Sequence, residues 1–140
     1  MNQGTYLFSQ LISLLSPTSF KTCVKRYNGD YKTKHFNCWR QYLCMVFRQL
    51  THRESLSDTI LCLKANSNKL YHLGIGEAVA KSTLSTANEN RDWRIFSDFA
   101  WILIKEAKQL YVGEKDLELS IDNPVFTIYA STIDLCLLLF

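Results

Sequence analysis

Apolar positions repeat with a helical period through most of this chain and switch to a strand period only near its end. Phe36, Trp39, Leu43, Val46 and Leu50 follow a 3-4-3-4 spacing, which puts them on one helix face. Trp93, Phe96, Ala100, Leu103, Ala107 and Leu110 repeat that rhythm, with Asn90 placed to cap their helix and Gly113 to stop it. Residues 6–15 carry apolar side chains at 7, 8, 11, 12, 14 and 15 and end at Ser16-Pro17. A short second helix is expected over residues 19–27, closed by Asn28-Gly29-Asp30. Thr51-x-x-Glu54 has the form of a capping box and predicts a helix with Leu56, Ile60 and Leu63 on one side, ending near Asn66-Ser67-Asn68.

Residues 69–76 read as a connector broken by Gly74 and Gly76. Residues 77–90 are small and polar, with Val79, Leu84 and Ala87 as their packing positions. Leu117, Leu119 and Ile121 then alternate with polar residues, and residues 125–129 are β-branched and aromatic. Asp122-Asn123-Pro124 supplies the turn between these two strands. The expected fold is therefore mainly α: a helical bundle with a helix-turn-helix-like element, followed by a short C-terminal β-hairpin. The expected division is a helical domain over residues 1–112 and the start of a second domain over 113–140.

Composition narrows the class. With 47% hydrophobic and 13% aromatic residues, and only 5 Gly and 2 Pro, the chain is rich enough in apolar residues to build a core. No apolar run approaches the roughly 18 residues of a membrane helix, and no basic leader precedes a cleavage site, so a cytoplasmic protein is expected. Its five cysteines, Cys23, Cys38, Cys44, Cys62 and Cys136, are then expected to be reduced. Charge is uneven: residues 1–112 hold 15 Lys and Arg against 8 Asp and Glu, net +7, whereas residues 113–140 hold 1 against 5, net −4. A basic body suits a nucleic-acid partner, and it equally suits an ordinary solvated surface.

The candidate DNA contact lies over residues 81–94. If Ser82 or Thr83 caps a short helix, Leu84 and Ala87 face inward, leaving Ser85, Thr86, Asn88 and Asn90 outward, flanked by Lys81, Arg91 and Arg94. Small side chains let a helix enter the major groove, Asn pairs with adenine, and Lys or Arg neutralises phosphate. The helix over 51–65 would be its supporting member, although the connector exceeds the usual turn of about 3–4 residues. The plainer alternative is a polar surface helix whose Ser, Thr and Asn only cap and solubilise it. A zinc reading of His35, Cys38 and Cys44 fails on geometry, because six residues turn a helix by about 240° and the thiols diverge. His52 and His72 have no second ligand at a suitable spacing, so neither a metal site nor a Cys-His nucleophile is expected. Trp93 and Phe96, with Phe36, Trp39 and Phe47, are expected in the core rather than as a base-stacking platform.

Several blocks resemble one family in consistent order. They are His35-Phe36-x-Cys38-Trp39, Gln49-Leu50-Thr51-x-Arg53-Glu54-Ser55-Leu56-x-Asp58, Tyr71-His72-Leu73-Gly74, and residues 82–96 from Ser82-Thr83-Leu84-Ser85 to Trp93-Arg94-Ile95-Phe96. The final stretch VFTIYASTIDLCLLLF (125–140) resembles the first strand of the RNase H-like catalytic domain in DDE-type bacterial transposases of the insertion-sequence-four family. The resemblance implies an N-terminal region that binds double-stranded DNA at the inverted repeats of the element's ends. It also implies, for the full-length family, a catalytic domain holding Mg²⁺ on Asp, Asp and Glu.

This chain departs from that pattern at a decisive point. Tyr129 stands where the family has its first catalytic Asp, and a phenol with a pKa near 10 is a poor ligand for Mg²⁺. Asp134 lies five residues further on, past the strand's expected end. The later Asp, the Glu and the Tyr-Arg-Glu-Lys signature have no counterpart here. The expectation is a truncated, catalytically inactive copy that binds DNA without a cofactor or metal of its own. The alternative is a helical interaction module that pairs with itself or with an intact transposase and inhibits it. No membrane partner is expected.

Overall fold

Side chains that bond the backbone mark where each helix begins. The computed structural model describes residues 7–110. Within them run six α-helices: α1 (Leu7–Ser13), α2 (Pro17–Arg26), α3 (Cys38–Leu50), α4 (Leu56–Ala65), α5 (Lys81–Asn90) and α6 (Arg94–Leu110), with a 3₁₀ turn at Ser67–Lys69. No strand occurs among the described residues. The expected hairpin over residues 117–129, Gly113, Tyr129 and Asp134 lie outside them.

Ser16 accepts the Ser19 amide, so Pro17 sits in the first turn of α2, where its missing N–H costs nothing. The second helix therefore begins two residues earlier than its apolar pattern suggests. Asn37 accepts the Arg40 amide at 2.9 Å to open α3, and Asp30 accepts the Cys38 amide at 2.7 Å. Phe36 therefore precedes α3 rather than belonging to it. The box expected at Thr51–Glu54 is displaced: Thr51 closes α3, its hydroxyl donating to the Phe47 carbonyl at 2.7 Å. The cap of α4 is Ser55, which accepts the Asp58 amide at 3.0 Å, so the Ser-x-x-acid pattern operates four residues later. Asn90 ends α5 instead of capping α6; Asp92 takes that place and accepts the Arg94 amide at 3.0 Å.

The stops share one device. Gly29 N–H reaches Val24 O at 3.0 Å and Asn28 N–H reaches Lys25 O at 3.3 Å, with Asn28 left-handed at φ 51°. Arg53 to Arg48 and His52 to Gln49 repeat it at the end of α3, as do Ile75 to Leu70 and Gly74 to Tyr71 after the 3₁₀ turn. Gly74 has φ 74°, where a Cβ would be strained, so glycine suits that stop.

Packing is organised by α3, which is covered on two sides. One cluster joins Leu43, Cys44 and Phe47 of α3 to Ile60 and Leu63 of α4 and Leu84 and Ala87 of α5. The other joins Cys38 of α3 to Phe20, Cys23 and Val24 of α2 and Ile95 and Phe99 of α6. Trp39 and Tyr42 touch both. Phe20 lies among the rings of Trp39, Tyr42, Phe96 and Phe99, with centroids 5.0–6.1 Å away. Covered from both sides, α3 buries Cys38, Gln41, Leu43, Cys44 and Phe47, while Leu50 from the expected stripe is 49% exposed.

α6 is also turned relative to its apolar spacing. Ile95 and Phe99 are buried and Phe96, Ile102 and Leu103 pack beside them, whereas Ala100 and Ala107 are exposed and Trp93 is 71% exposed. Gly29 explains the rotation: a Cβ there would collide with Ile95 Cδ1 and Cys38 Sγ, so the bare backbone makes room for Ile95. The stretch expected as a connector is a second surprise. Leu70, Leu73 and Ile75 are buried and, together with the expected packing residue Val79, plug the cluster between α3, α4 and α5.

Arg40 holds that plug. Its guanidinium donates to Ile75 O at 2.7 Å, His35 O at 2.7 Å and Glu77 O at 3.0 Å, joining segments far apart in sequence. Charge-assisted bonds of this kind contribute about 1.5–3 kcal/mol each, net of exchange with water, and less where solvent reaches them. Arg40→Met is expected to lower the free energy of urea unfolding by about 2–4 kcal/mol. Arg40→Lys should recover less than half, because one ammonium cannot span three carbonyls. Equal stability of the three proteins would remove the clamp from this account.

Candidate nucleic-acid interface

α5 begins without a side-chain cap: Ala80 occupies the N-cap and Leu84 N–H bonds its carbonyl. Ser82 and Thr83, expected as caps, instead lie in the first turn. Leu84 and Ala87 are buried, and Lys81, Ser82, Thr83, Ser85, Thr86, Asn88 and Asn90 are exposed. Glu89 was missed by the residue reading; it is exposed, and its spacing puts it on the face that carries Ser82, Ser85 and Thr86. A carboxylate there repels phosphate and accepts hydrogen bonds from bases such as cytosine.

The structure divides the expected contact residues into three groups. Ser82, Thr83, Thr86 and Asn90, together with Asp92 and with Arg91 of the third group, line an open cleft of about 700 Å³ whose opposite wall is Tyr27, Asn28, Gly29, Tyr31, Thr33 and Phe36. The small hydroxyl and amide groups of α5 on this wall make no side-chain hydrogen bond among the described residues. Lys81 and Ser85 are exposed away from the cleft.

The third group is used inside the fold. Asn88 Oδ1 accepts from Gln41 Nε2 at 2.6 Å, and Arg91 donates to Gln41 Oε1 at 2.8 Å and to the Phe36 carbonyl. Gln41 is only 3% exposed, so these bonds satisfy its buried amide and fasten α5 to α3. Arg91 also stands over the Phe36 ring at 5.4 Å. Arg94 forms an ion pair with Asp92 at 2.6 Å and lies over the Tyr27 ring at 4.9 Å. Its hydrogen bonds hold the Asp92 carboxyl below the usual carboxylate range. Asn88 and Arg91 thus position the helix, and Arg94 keeps an exposed edge while paired.

Other chemistry is muted. Cys38 and Cys44 fall in different clusters, and burial pushes their thiols up to about 12 and about 11; a hydrogen bond that the Cys38 thiol donates to the Asp30 carboxylate adds to the effect there. Among the described residues, no group of three or more His, Cys, Asp or Glu is arranged to hold a metal ion. No helix there is long and apolar enough to cross a membrane.

With this geometry in view, residues 3–76 match the family described as a domain of unknown function (DUF4372), and the chain belongs to that family. The match covers α1 to α4 and the plug as far as Gly76. No curated protein and no solved structure matches the chain.

The thiols set a pH dependence. Raised values in the folded state mean that the native protein keeps protons the unfolded chain releases, so stability is full below the unfolded thiol value near 9 and falls as pH rises towards 12. Tyr42, raised by burial, acts in the same direction. Melting temperature followed from pH 7 to 11 should be level at first and drop above pH 9. The Cys38→Ala/Cys44→Ala variant should drop less steeply, and an identical slope would exclude the thiols as its source.

Proposed function

We propose that this chain is the DNA-binding N-terminal region of a DDE-type insertion-sequence transposase and recognises the inverted repeats at the element's ends. The observation that carries the reading is α5: a ten-residue helix, anchored from behind through Asn88 and Arg91, that presents small uncommitted polar side chains. Such a helix fits a major groove, and the absence of a cap at Ala80 leaves the first amides of α5 free for phosphate. Domains of this family commonly stand at the N-termini of transposases, which supports the same reading. α4 packs against α5 and would be the supporting helix of a helix-turn-helix-like pair. A cytoplasmic location goes with this reading.

The role is binding without cleavage. Tyr129 takes the position of the first catalytic Asp, and Mg²⁺ belongs to the full-length family's catalytic domain rather than to any residue named in this interface. Selection from a randomised duplex pool, followed by fluorescence anisotropy, is expected to enrich one sequence bound by the full chain. Ser82→Ala and Thr86→Ala should each lower the preference for that sequence over scrambled DNA by about 5-fold, the low end of the range for a bidentate base contact, because a hydroxyl makes a weaker one. No binding to any duplex at low salt would sink the proposal.

A second reading is favoured by one observation. Trp93 and Trp101 are 71% and 66% exposed, and Trp93 walls an apolar groove of about 530 Å³ with Tyr42, Met45, Val46 and Phe96. This surface suits a helical interaction module that pairs with a second copy or with an intact transposase. Sedimentation velocity should then show concentration-dependent dimers that Trp101→Glu abolishes; a chain that stays monomeric at high concentration rules out self-pairing.

A further inference from the structure

We infer that the DNA interface has a second half, formed by Lys21 and Lys25 of α2 and by Lys32 and Lys34 of the loop that follows, which follows the phosphate backbone beside the groove read by α5. The inference rests on the reading of α5 as a DNA-contacting helix. It begins from a division of labour among the basic residues. Every arginine in the chain has a partner inside the protein. Arg26 pairs with Asp98, Arg53 with Asp58 and Arg94 with Asp92, while Arg40, Arg48 and Arg91 bond backbone carbonyls. The four lysines form no ion pair among the described residues, and all are exposed.

Local charge is strongly one-sided. Residues 1–53 contain Asp30 as their sole acidic side chain, against Lys or Arg at 21, 25, 26, 32, 34, 40, 48 and 53. Asp30 accepts the Cys38 amide at the start of α3 and keeps its charge, so a single carboxylate stands against the four lysines. Lys21 and Lys25 are one turn apart and so share a helix face. Lys32 is held left-handed at φ 57°, with its ammonium 5.2 Å from the centre of the Tyr31 ring.

The two halves are adjacent in space. Asn28 and Tyr31 line the cleft that α5 walls, and they also line a neighbouring hollow of about 310 Å³ shared with Lys21, Lys25 and Asp30. A continuous strip therefore runs from the hydroxyls of α5, past the exposed Tyr31 ring, to the ammonium groups of α2. Its chemistry suits a duplex: the hydroxyls and amide of α5 where base edges would lie, and four lysines, outnumbering Asp30, where the backbone would pass; Asp92 in the cleft is paired with Arg94. Lysine is suited to the second task, as a compact charge on a flexible stem that follows phosphates without fixing sequence.

The test is the salt dependence of binding, measured by anisotropy with the full chain and a labelled 30-base-pair duplex of arbitrary sequence. Each phosphate contact contributes about 0.9 to the slope of log K against log salt. Lys21→Gln/Lys25→Gln and Lys32→Gln/Lys34→Gln should each lower the slope by up to about 1.8 and weaken arbitrary and selected duplexes by the same factor. Lys64→Gln, on the exposed surface of α4, should leave the slope unchanged. Circular dichroism of the variants confirms that the helices persist. A wild-type chain that binds no duplex overturns the underlying reading together with this one. Binding with an unaltered slope in both double variants overturns this inference alone.

Discussion

Three backbone carbonyls from two distant segments converge on one guanidinium, and the rest of the molecule depends on that convergence. Arg40 joins the stretch before α3, at His35, to the plug after α4, at Ile75 and Glu77. Irregular backbone entering a core brings polar groups that must be satisfied, which is why buried loops are rare. Here the arginine side chain satisfies them, and Leu70, Leu73, Ile75 and Val79 are free to act as core. The plug in turn meets Leu84 and Ala87 and supports α5. The path from Arg40 to the candidate interface is thus a continuous chain of contacts rather than a distant influence.

Similar reasoning applies across the fold. Arg48 closes the turn between α3 and α4 through the carbonyls of Arg53 and Glu54, and Arg91 fastens the end of α5 through Gln41 and Phe36. These planar, multiply donating groups suit fixed geometry, whereas lysines keep their charge in water. The protein therefore uses arginine mainly for construction. A count of basic residues misses this distinction, because the net charge of +3 treats both kinds alike. Once the arginines are assigned their partners, the unpaired charge rests on lysines, and four of these fall together on α2 and the loop beyond it, where Asp30 is the sole nearby acid in sequence.

Much of the helix pattern was legible in the sequence, because the signals for it are local. Gly74, Asn28-Gly29 and Ser16-Pro17 each mark a helix end or beginning through the torsions and hydrogen bonds of a few neighbouring residues. Val79, Leu84 and Ala87 were legible as packing positions, since a polar segment has few other candidates. The Thr51 box was misplaced because two Ser/Thr-x-x-acid patterns stand four residues apart. The local code does not say that His52 and Arg53 will be spent closing α3.

What the sequence determined by itself is the set of helices, their approximate limits, and a basic body with small polar residues over 81–90. The tertiary structure decided how those helices are turned and which polar groups remain free. Trp93 and Phe96 follow a helical rhythm, yet Ile95 is the residue that enters the core, because Gly29 in the turn after α2 leaves room for it. Asn88 and Arg91 resemble their polar neighbours in sequence, yet Gln41 on α3 engages both. The lysines of α2 stand some sixty residues before α5, and the fold sets them beside its cleft. Periodicity records that a face is apolar or polar; what covers that face, and which donors it consumes, depends on neighbours that only the folded chain brings together.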